Sequence, residues 1–416
     1  MRLLPFFLSA SLLLVGCSHG EPSADPVFVH ADLSSSLQEV SSKVPEARTG
    51  ETPAVSLTAE YPVYAPDVQQ ISFLMENLSN MDVTYGLDYS LEYNNQGNWE
   101  PVSTGYNAVA AIGLLIQAGE TRSVIVGTSS FDWDWREGSY RLVQPVSLGN
   151  KNQKLYAEFS IGDSPVSGST PYGFMKLEDI PTPYPREQAD ADGVIYNFHG
   201  EIQSNEDKIL EFFQKVDCGL PAMIRIESVT IEGDPIYTDV EYHPEKNAFR
   251  CFFDSTRDKF GTADQITSAW YPFLQIAETD GKLGIVLSEW RKPENGPEGS
   301  AVQFPFSLSP ERKEEFLRAN RKMQKKYNLD NVVQCTFSPS GDSWASIVDE
   351  ENIAVQLPGK GYMVPADGKE LYYLQWQDET TLYVWDKSSQ YWIYDTSKEA
   401  FTGQVADCGI PLVPEI

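Results

Sequence analysis

Through Ser228–Gly261 and just before it, apolar and polar residues alternate with a period of two, interrupted only where turn-forming residues cluster. Such alternation marks strands with one buried face, because successive side chains point to opposite sides of a sheet. Ile224 and Ile226 share one parity and Val229 and Ile231 take the other, which predicts a bulge near Glu227–Ser228. Glu232-Gly233-Asp234-Pro235 is a turn. On the next strand Ile236, Val240 and Tyr242 face one way while Asp239, Glu241 and His243 face the other, and the third strand buries Phe249, Cys251 and Phe253. Upstream, Ile209, Phe212, Phe213 and Val216 fall at helical spacing on one face. Ser204-Asn205-Glu206-Asp207 opens that helix, and Gly219 and Pro221 close it. A helix packed on an antiparallel sheet, an α+β arrangement, is the expected core of residues 172–292.

The chain has 416 residues, enough for two to four domains. Residues 53–163 alternate in the same way: Val55-Ser-Leu57-Thr-Ala59, Ile71-Ser-Phe73, Leu87-Asp-Tyr89-Ser-Leu91-Glu-Tyr93, Val124-Ile-Val126 and Tyr156-Ala-Glu-Phe159-Ser-Ile161. About seven short strands in this span predict a β-sandwich. Asn77, Tyr85-Gly86, Leu91-Glu92, Gly119-Glu120-Thr121, Gly138-Ser-Tyr-Arg-Leu-Val143 and Tyr156-Ala-Glu-Phe159 resemble the bacterial immunoglobulin-like domains of exported lipoproteins. That resemblance implies a spacer or adhesion module. Phe131-Asp-Trp133-Asp-Trp135 has the composition of a sugar-stacking strip, but alternating aromatics equally build a sandwich core, and the core reading is preferred. Residues 163–172 are a Ser/Pro/Gly linker.

The central segment carries a more specific likeness. Asn197-Phe-His-Gly200, Ile224-Arg-Ile226, Thr230-Ile-Glu-Gly-Asp-Pro-Ile236 and Asp254-Ser-Thr-Arg-Asp-Lys-Phe-Gly261 resemble domain of unknown function 4362. That family occurs in small exported lipoproteins, and the resemblance implies no activity. Residues 293–308 read as a second linker, and residues 300–416 as a helix followed by a β-rich C-terminal domain. Ser309-Pro310 opens the helix; over 311–326 it has seven bases and three acids, a face suited to an acidic neighbouring domain. Phe337-Ser-Pro-Ser-Gly341, Trp376-Gln-Asp378, Leu382-Tyr-Val-Trp385 and Trp392-Ile-Tyr-Asp395 resemble one propeller blade. With no second copy evident, the expectation is a small antiparallel sheet against the helix rather than a propeller. The fold class is thus multi-domain and mostly β: an Ig-like sandwich, an α+β domain, and a small helix-plus-sheet domain.

The amino terminus sets the compartment. Arg2 precedes an apolar run, Leu3–Val15, that is short for a transmembrane helix and ends at Leu14-Val15-Gly16-Cys17. This ending resembles the lipobox of bacterial lipoproteins, which implies a signal peptide over 1–16, acylation (palmitate included) of Cys17, and anchoring to the cell membrane through lipid. Residues 17–52, Ser/Pro/Glu-rich after the cysteine, read as a flexible tether. Removing Cys17 leaves Cys218, Cys251, Cys335 and Cys408, an even number that permits two disulfides in an exported protein; neighbour pairing, 218 with 251 and 335 with 408, is the preferred of three connectivities.

Sixty acidic against 31 basic residues leave a formal net charge of −29. Such a surface repels phosphate backbones and anionic headgroups, which argues against nucleic acid as a partner. No serine-hydrolase elbow, zinc-protease pair, phosphate loop or dinucleotide fingerprint is present, and nothing calls for a cofactor or a metal. Gln188-Ala-Asp-Ala-Asp-Gly193 has the look of a calcium loop, but His199 stands where the bidentate acid belongs, so a turn is expected. The candidate ligand site is a charged corner: Asp254, Arg257, Asp258 and Lys259, with Glu232, Asp234 and His199 nearby in the pattern. Carboxylates beside Arg and Lys suit a polar ligand or acid–base work, but they also cap turns and fix strand exits, and the structural reading is preferred. The expected role is a non-catalytic protein that binds another envelope protein or a glycan; an envelope hydrolase using this corner is the alternative.

Overall fold

A computed structural model describes residues 54–105, 113–261, 265–279, 282–292, 301–308, 312–319, 334–349, 352–386 and 391–405. Cys17, the tether and Cys408 lie outside them, as do the basic positions 321–326. The chain divides into two compact units, Ala24–Pro185 with Gln214–Pro221, and Arg186–Phe213 with Ala222–Ile416. Among the described residues no helix is long and apolar enough to cross a membrane.

The first unit contains the sandwich. Val55–Ala59, Gln70–Asn77 and Thr121–Gly127 form one antiparallel sheet. The other is centred on the hairpin of Gly138–Leu148 and Lys151–Ile161, which pair along eleven residues each. Val83–Tyr85 and Ser90–Asn95 flank this hairpin. The short strand Val63–Tyr64 lies parallel to Ser160–Ile161. Buried Ile71, Phe73, Met75, Val126, Tyr140, Leu142 and Phe159 fill the space between the sheets. Phe131 is buried in this core with Trp133 and Trp135 packed against it, and the Trp133 indole donates to Tyr140. The aromatic strip is therefore core, as its alternation suggested.

In the second unit, a six-stranded sheet runs in the order Glu201–Ser204, Ile195–Phe198, Ala222–Val229, Pro235–His243, Ala248–Asp254, Thr267–Tyr271. It is antiparallel except for Ile195–Phe198, which is parallel to Ala222–Val229. Helix α1 (Arg186–Ala191) occupies the segment expected to be a turn. Helix α2 (Asp207–Cys218), whose part from Gln214 onward belongs to the first unit, buries Ile209, Phe212, Phe213 and Val216, with Phe212 against Phe249 of the sheet. The bulge expected at Glu227–Ser228 is absent: Ala222–Val229 pairs without a break to Pro235–His243. The parity change arises because Val229 ends the strand on the opposite face and Ile231 already lies in the turn. A register shift does occur, one strand away, between Tyr196 and Asn197.

The remainder of this unit is three further sheets. Phe273–Thr279, Lys282–Ser288 and Ala301–Phe306 form the first, so part of the segment read as linker is a strand. The single small antiparallel sheet expected at the C-terminus is two four-stranded antiparallel meanders: Gln334–Phe337, Trp344–Asp349, Asn352–Leu357, Lys360–Pro365, and then Leu371–Trp376, Thr381–Asp386, Tyr391–Asp395, Ala400–Val405. Ile347, Ile353 and Val355 of the first pack with Leu374, Leu382 and Val384 of the second. The Gln334 side chain stitches them, donating to the Leu374 carbonyl and accepting from its amide. Residues 312–319 are helical. Arg312 bonds Glu206 at 2.7 Å and pairs with Asp207, and Lys313 reaches Glu278 at 2.8 Å, so the described part of the basic helix does meet acidic neighbours.

Candidate functional site

The six-stranded sheet has two unlike faces. One carries Ile224, Ile226, Val240, Tyr242 and Phe249 under α2. The other carries Arg225, Glu227, Tyr237, Asp239 and Asp254, all less than a tenth exposed. The register sets Arg225 opposite Asp239, and the guanidinium forks onto that carboxylate, Nε to Oδ1 and Nη2 to Oδ2, both at 2.7 Å. Burial pushes the Asp239 carboxyl up to about 6 against the pull of Arg225. Tyr237 lies at the centre, its phenol pushed up to about 12 by burial and by the Glu227 charge, which outweigh Arg257, Arg186 and Arg225. Arg257 stands over its ring at 5.4 Å.

At the sheet's edge Arg186 lies over the Tyr196 ring at 4.0 Å and is ion-paired to Glu227. An open groove of about 430 Å³ lies beside it, lined by Arg186, Asp190, Tyr196, Phe198, Gln203 and Ser204. Its polar lining is already engaged in part: Ser204 donates to Asp190 at 2.7 Å, and Asp190 stands 3.5 Å from Arg186.

The charged corner comes together in part, as two internal pairs, Asp254 with Arg257 and Asp234 with Lys259. Asp254 is fully buried; its Oδ1 accepts from the Thr256 amide (2.9 Å) and hydroxyl (2.6 Å), and its Oδ2 pairs with Arg257. Asp234 joins two loops twenty-five residues apart, taking the Lys259 ammonium at 2.5 Å on Oδ1 and the Lys259 amide at 3.1 Å on Oδ2. Those bonds from Lys259 hold the Asp234 carboxyl below its usual range. Asp258 accepts from the Phe260 amide at 2.9 Å, closing a tight turn. Glu232 is exposed at the tip of the Thr230–Asp234 turn. His199 is at the same end of the sheet but in neither ion pair; it sits at φ +52° in the hairpin turn after Phe198, edge-on to that ring at 4.2 Å. Among the described residues no cluster of three or more His, Cys, Asp or Glu side chains is arranged to hold a metal ion.

The disulfide expected between Cys218 and Cys251 is not formed, and Cys335 is likewise a thiol. Burial, with the Asp239 charge behind it, pushes the Cys251 thiol up to about 12. A thiol that resists ionisation is a poor partner in disulfide exchange. The other expected bond involves Cys408, outside the described residues.

Arg225, Tyr237, Asp239, Arg186 and Glu227 are not among the candidate site residues that the sequence suggests. An arginine between two isoleucines, set opposite an acid by strand register, was the available signal.

Residues 51–160 match the family described as bacterial Ig-like domain, and residues 192–280 match domain of unknown function 4362. The chain carries both domains. The DUF4362 match spans the polar face and the whole corner, and ends just after Phe273–Thr279, the first strand of the following sheet. No curated protein matches. Solved structures with some likeness include a PapD-like domain of human CEP192 (11% identity, 30% of this chain and 99% of that chain, TM-score 0.18). Others are the FlaF–FlaG archaellum stator complex of Sulfolobus acidocaldarius (15%, 29% and 100%, 0.19) and the CsuC–CsuE chaperone–adhesin complex of Acinetobacter baumannii (11%, 62% and 100%, 0.22). At such TM-scores the likeness bears on neither fold nor function.

Proposed function

We propose that this is a lipid-anchored protein of the bacterial cell envelope that works by binding another envelope component rather than by catalysis. The leader ending at Val15-Gly16-Cys17 supports export, removal of a signal peptide before Cys17, and acylation of that cysteine. The acidic charge, −29 overall, supports a protein or glycan partner over nucleic acid.

The observation that carries the binding reading is the state of the corner's carboxylates. A general acid or base needs a lone pair or proton free for the substrate. Both oxygens of Asp254 are engaged by Thr256 and Arg257, and both oxygens of Asp234 by Lys259. This supports a structural role for them and weighs against the hydrolase alternative. A Cys17→Ala variant is expected to leave the membrane fraction; retention there would defeat the lipid anchor. An Asp254→Asn variant that folds and abolishes a measured hydrolysis of cell-wall glycan or peptide would defeat the non-catalytic reading.

A further inference from the structure

The corner that is closed to chemistry holds something else in solvent. Ile231 is 91% exposed and Phe260 is 75% exposed. A single exposed apolar residue on a surface calls for no explanation. These two differ because each tops a loop that is internally bonded, and because the loops are braced to one another. In the first, Thr230 accepts from the Gly233 amide and donates its own amide to the Asp234 carbonyl, while the Asp234 amide donates to the Thr230 hydroxyl. In the second, the Asp258 amide donates to Ser255 and the Phe260 amide to the Asp258 carboxylate. Asp234 then receives both the amide and the ammonium of Lys259, the residue beside Phe260. Phe198, 44% exposed, ends a strand parallel to Ala222–Val229 and so stands at this same end of the sheet. Apolar tips on a preorganised frame lose little conformational entropy when they are buried by a partner.

The surrounding charge narrows the occupant. Arg257 and Lys259 are each matched by a carboxylate. Glu232 and Asp258 have no cation paired to them among the described residues. The loops therefore present apolar side chains with a net negative surround, on a chain of net charge −29. An anionic lipid surface would repel that combination.

We propose that the Ile231 and Phe260 loops are a docking end for a protein partner that offers an apolar socket rimmed by lysine or arginine. This rests on the binding role proposed above and adds the surface and the chemistry of its partner. The test places a photo-crosslinking benzoylphenylalanine at Ile231, at Phe260, and, for comparison, at Tyr156 and Met363, which are 51% and 38% exposed elsewhere on the chain. The full-length protein is irradiated in the bacterium that encodes it, and the adduct site is mapped by mass spectrometry. The expected result is an adduct from 231 and 260 to an apolar site flanked by basic residues, reduced at least tenfold by Glu232→Lys. Ile231→Asp with Phe260→Asp should compete no better than buffer for that site while melting at the wild-type temperature. Adducts to lipid, to a second copy of this chain, or to a site without basic flanks overturn the proposal. Adducts from Tyr156 or Met363 alone overturn it and leave the binding role standing; no adducts from any position overturn both.

Discussion

Arg225 and Asp239 meet across two strands with almost no solvent, so each is tolerable only because of the other. Removing one partner of such a pair strands a buried charge, which costs about 3–5 kcal/mol. Arg225→Met is expected to lower the urea midpoint accordingly, and Arg225→Met with Asp239→Leu to recover most of the loss. A double variant no better than the single would mean that the fork does more than neutralise its partner. Gly341 makes a different demand. Its φ is +74°, and a Cβ there would stand 2.4 Å from the Trp270 ring, so Gly341→Ala has both backbone strain and a clash to absorb. Thermal melting should show the loss, and a neutral result would mean that Trp270 can move aside. Period-two alternation correctly sorted Val240 and Tyr242 from Asp239 and Glu241. It could not show that the Asp239 side is buried too, because alternation reports which side is more polar and not whether either side is covered.

Among the elements, the pair of braced loops is the most specific. Asp234→Ala is expected to speed hydrogen exchange at the amides of Lys259 and Phe260 while leaving Ala248–Asp254 protected. Equal acceleration in that strand would mean that the brace supports the sheet itself. The corner residues Asp234, Asp254, Arg257, Asp258 and Lys259 were legible as a group because turn chemistry clusters them. Their pairing was not legible, since it depends on a contact across twenty-five residues. The second C-terminal meander was missed for a related reason. Phe337-Ser-Pro-Ser-Gly341 and Trp376-Gln-Asp378 read from the sequence as parts of one small sheet, whereas each lies at the first hairpin of its own sheet, and the two share position but little sequence.

For the molecule as a whole, Glu289 and His243 join Asp239 in tying stability to pH in the same direction. Glu289 lies where three sheets meet, accepting from Tyr373 and from Thr336, each at 2.7 Å. Burial pushes its carboxyl up to about 7 against these hydrogen bonds, from 4.5. The folded chain thus holds that proton more tightly than the unfolded chain does, and the stabilisation is complete below pH 4.5 and lost as pH rises through 7. Burial opposes the charge on His243, but bonds to Glu241 and Glu245 outweigh it and push the imidazole up to about 9; its contribution is complete below pH 6.5 and lost as pH rises through 9. The melting temperature should therefore fall between pH 5 and pH 9. Glu289→Gln should flatten the lower half of that slope and His243→Ala the upper half; unchanged slopes would show that other groups set them.

The parallel contact between Val63–Tyr64 and Ser160–Ile161 has a mechanical meaning. The Ser160 amide bonds Pro62 and the Gly162 amide bonds Tyr64, both at 2.9 Å, and the Ala65 amide bonds Val166 at 2.8 Å. The second strand of the sandwich, which follows Val55–Ala59, thus lies beside its last strand and runs the same way. A pull that is carried to Val63–Tyr64 on one side and to the exit after Ile161 on the other loads these three bonds together in shear, where an antiparallel exit would let them break in succession. Under the lipid anchoring and partner binding proposed above, that contact would act as a force-resisting clamp.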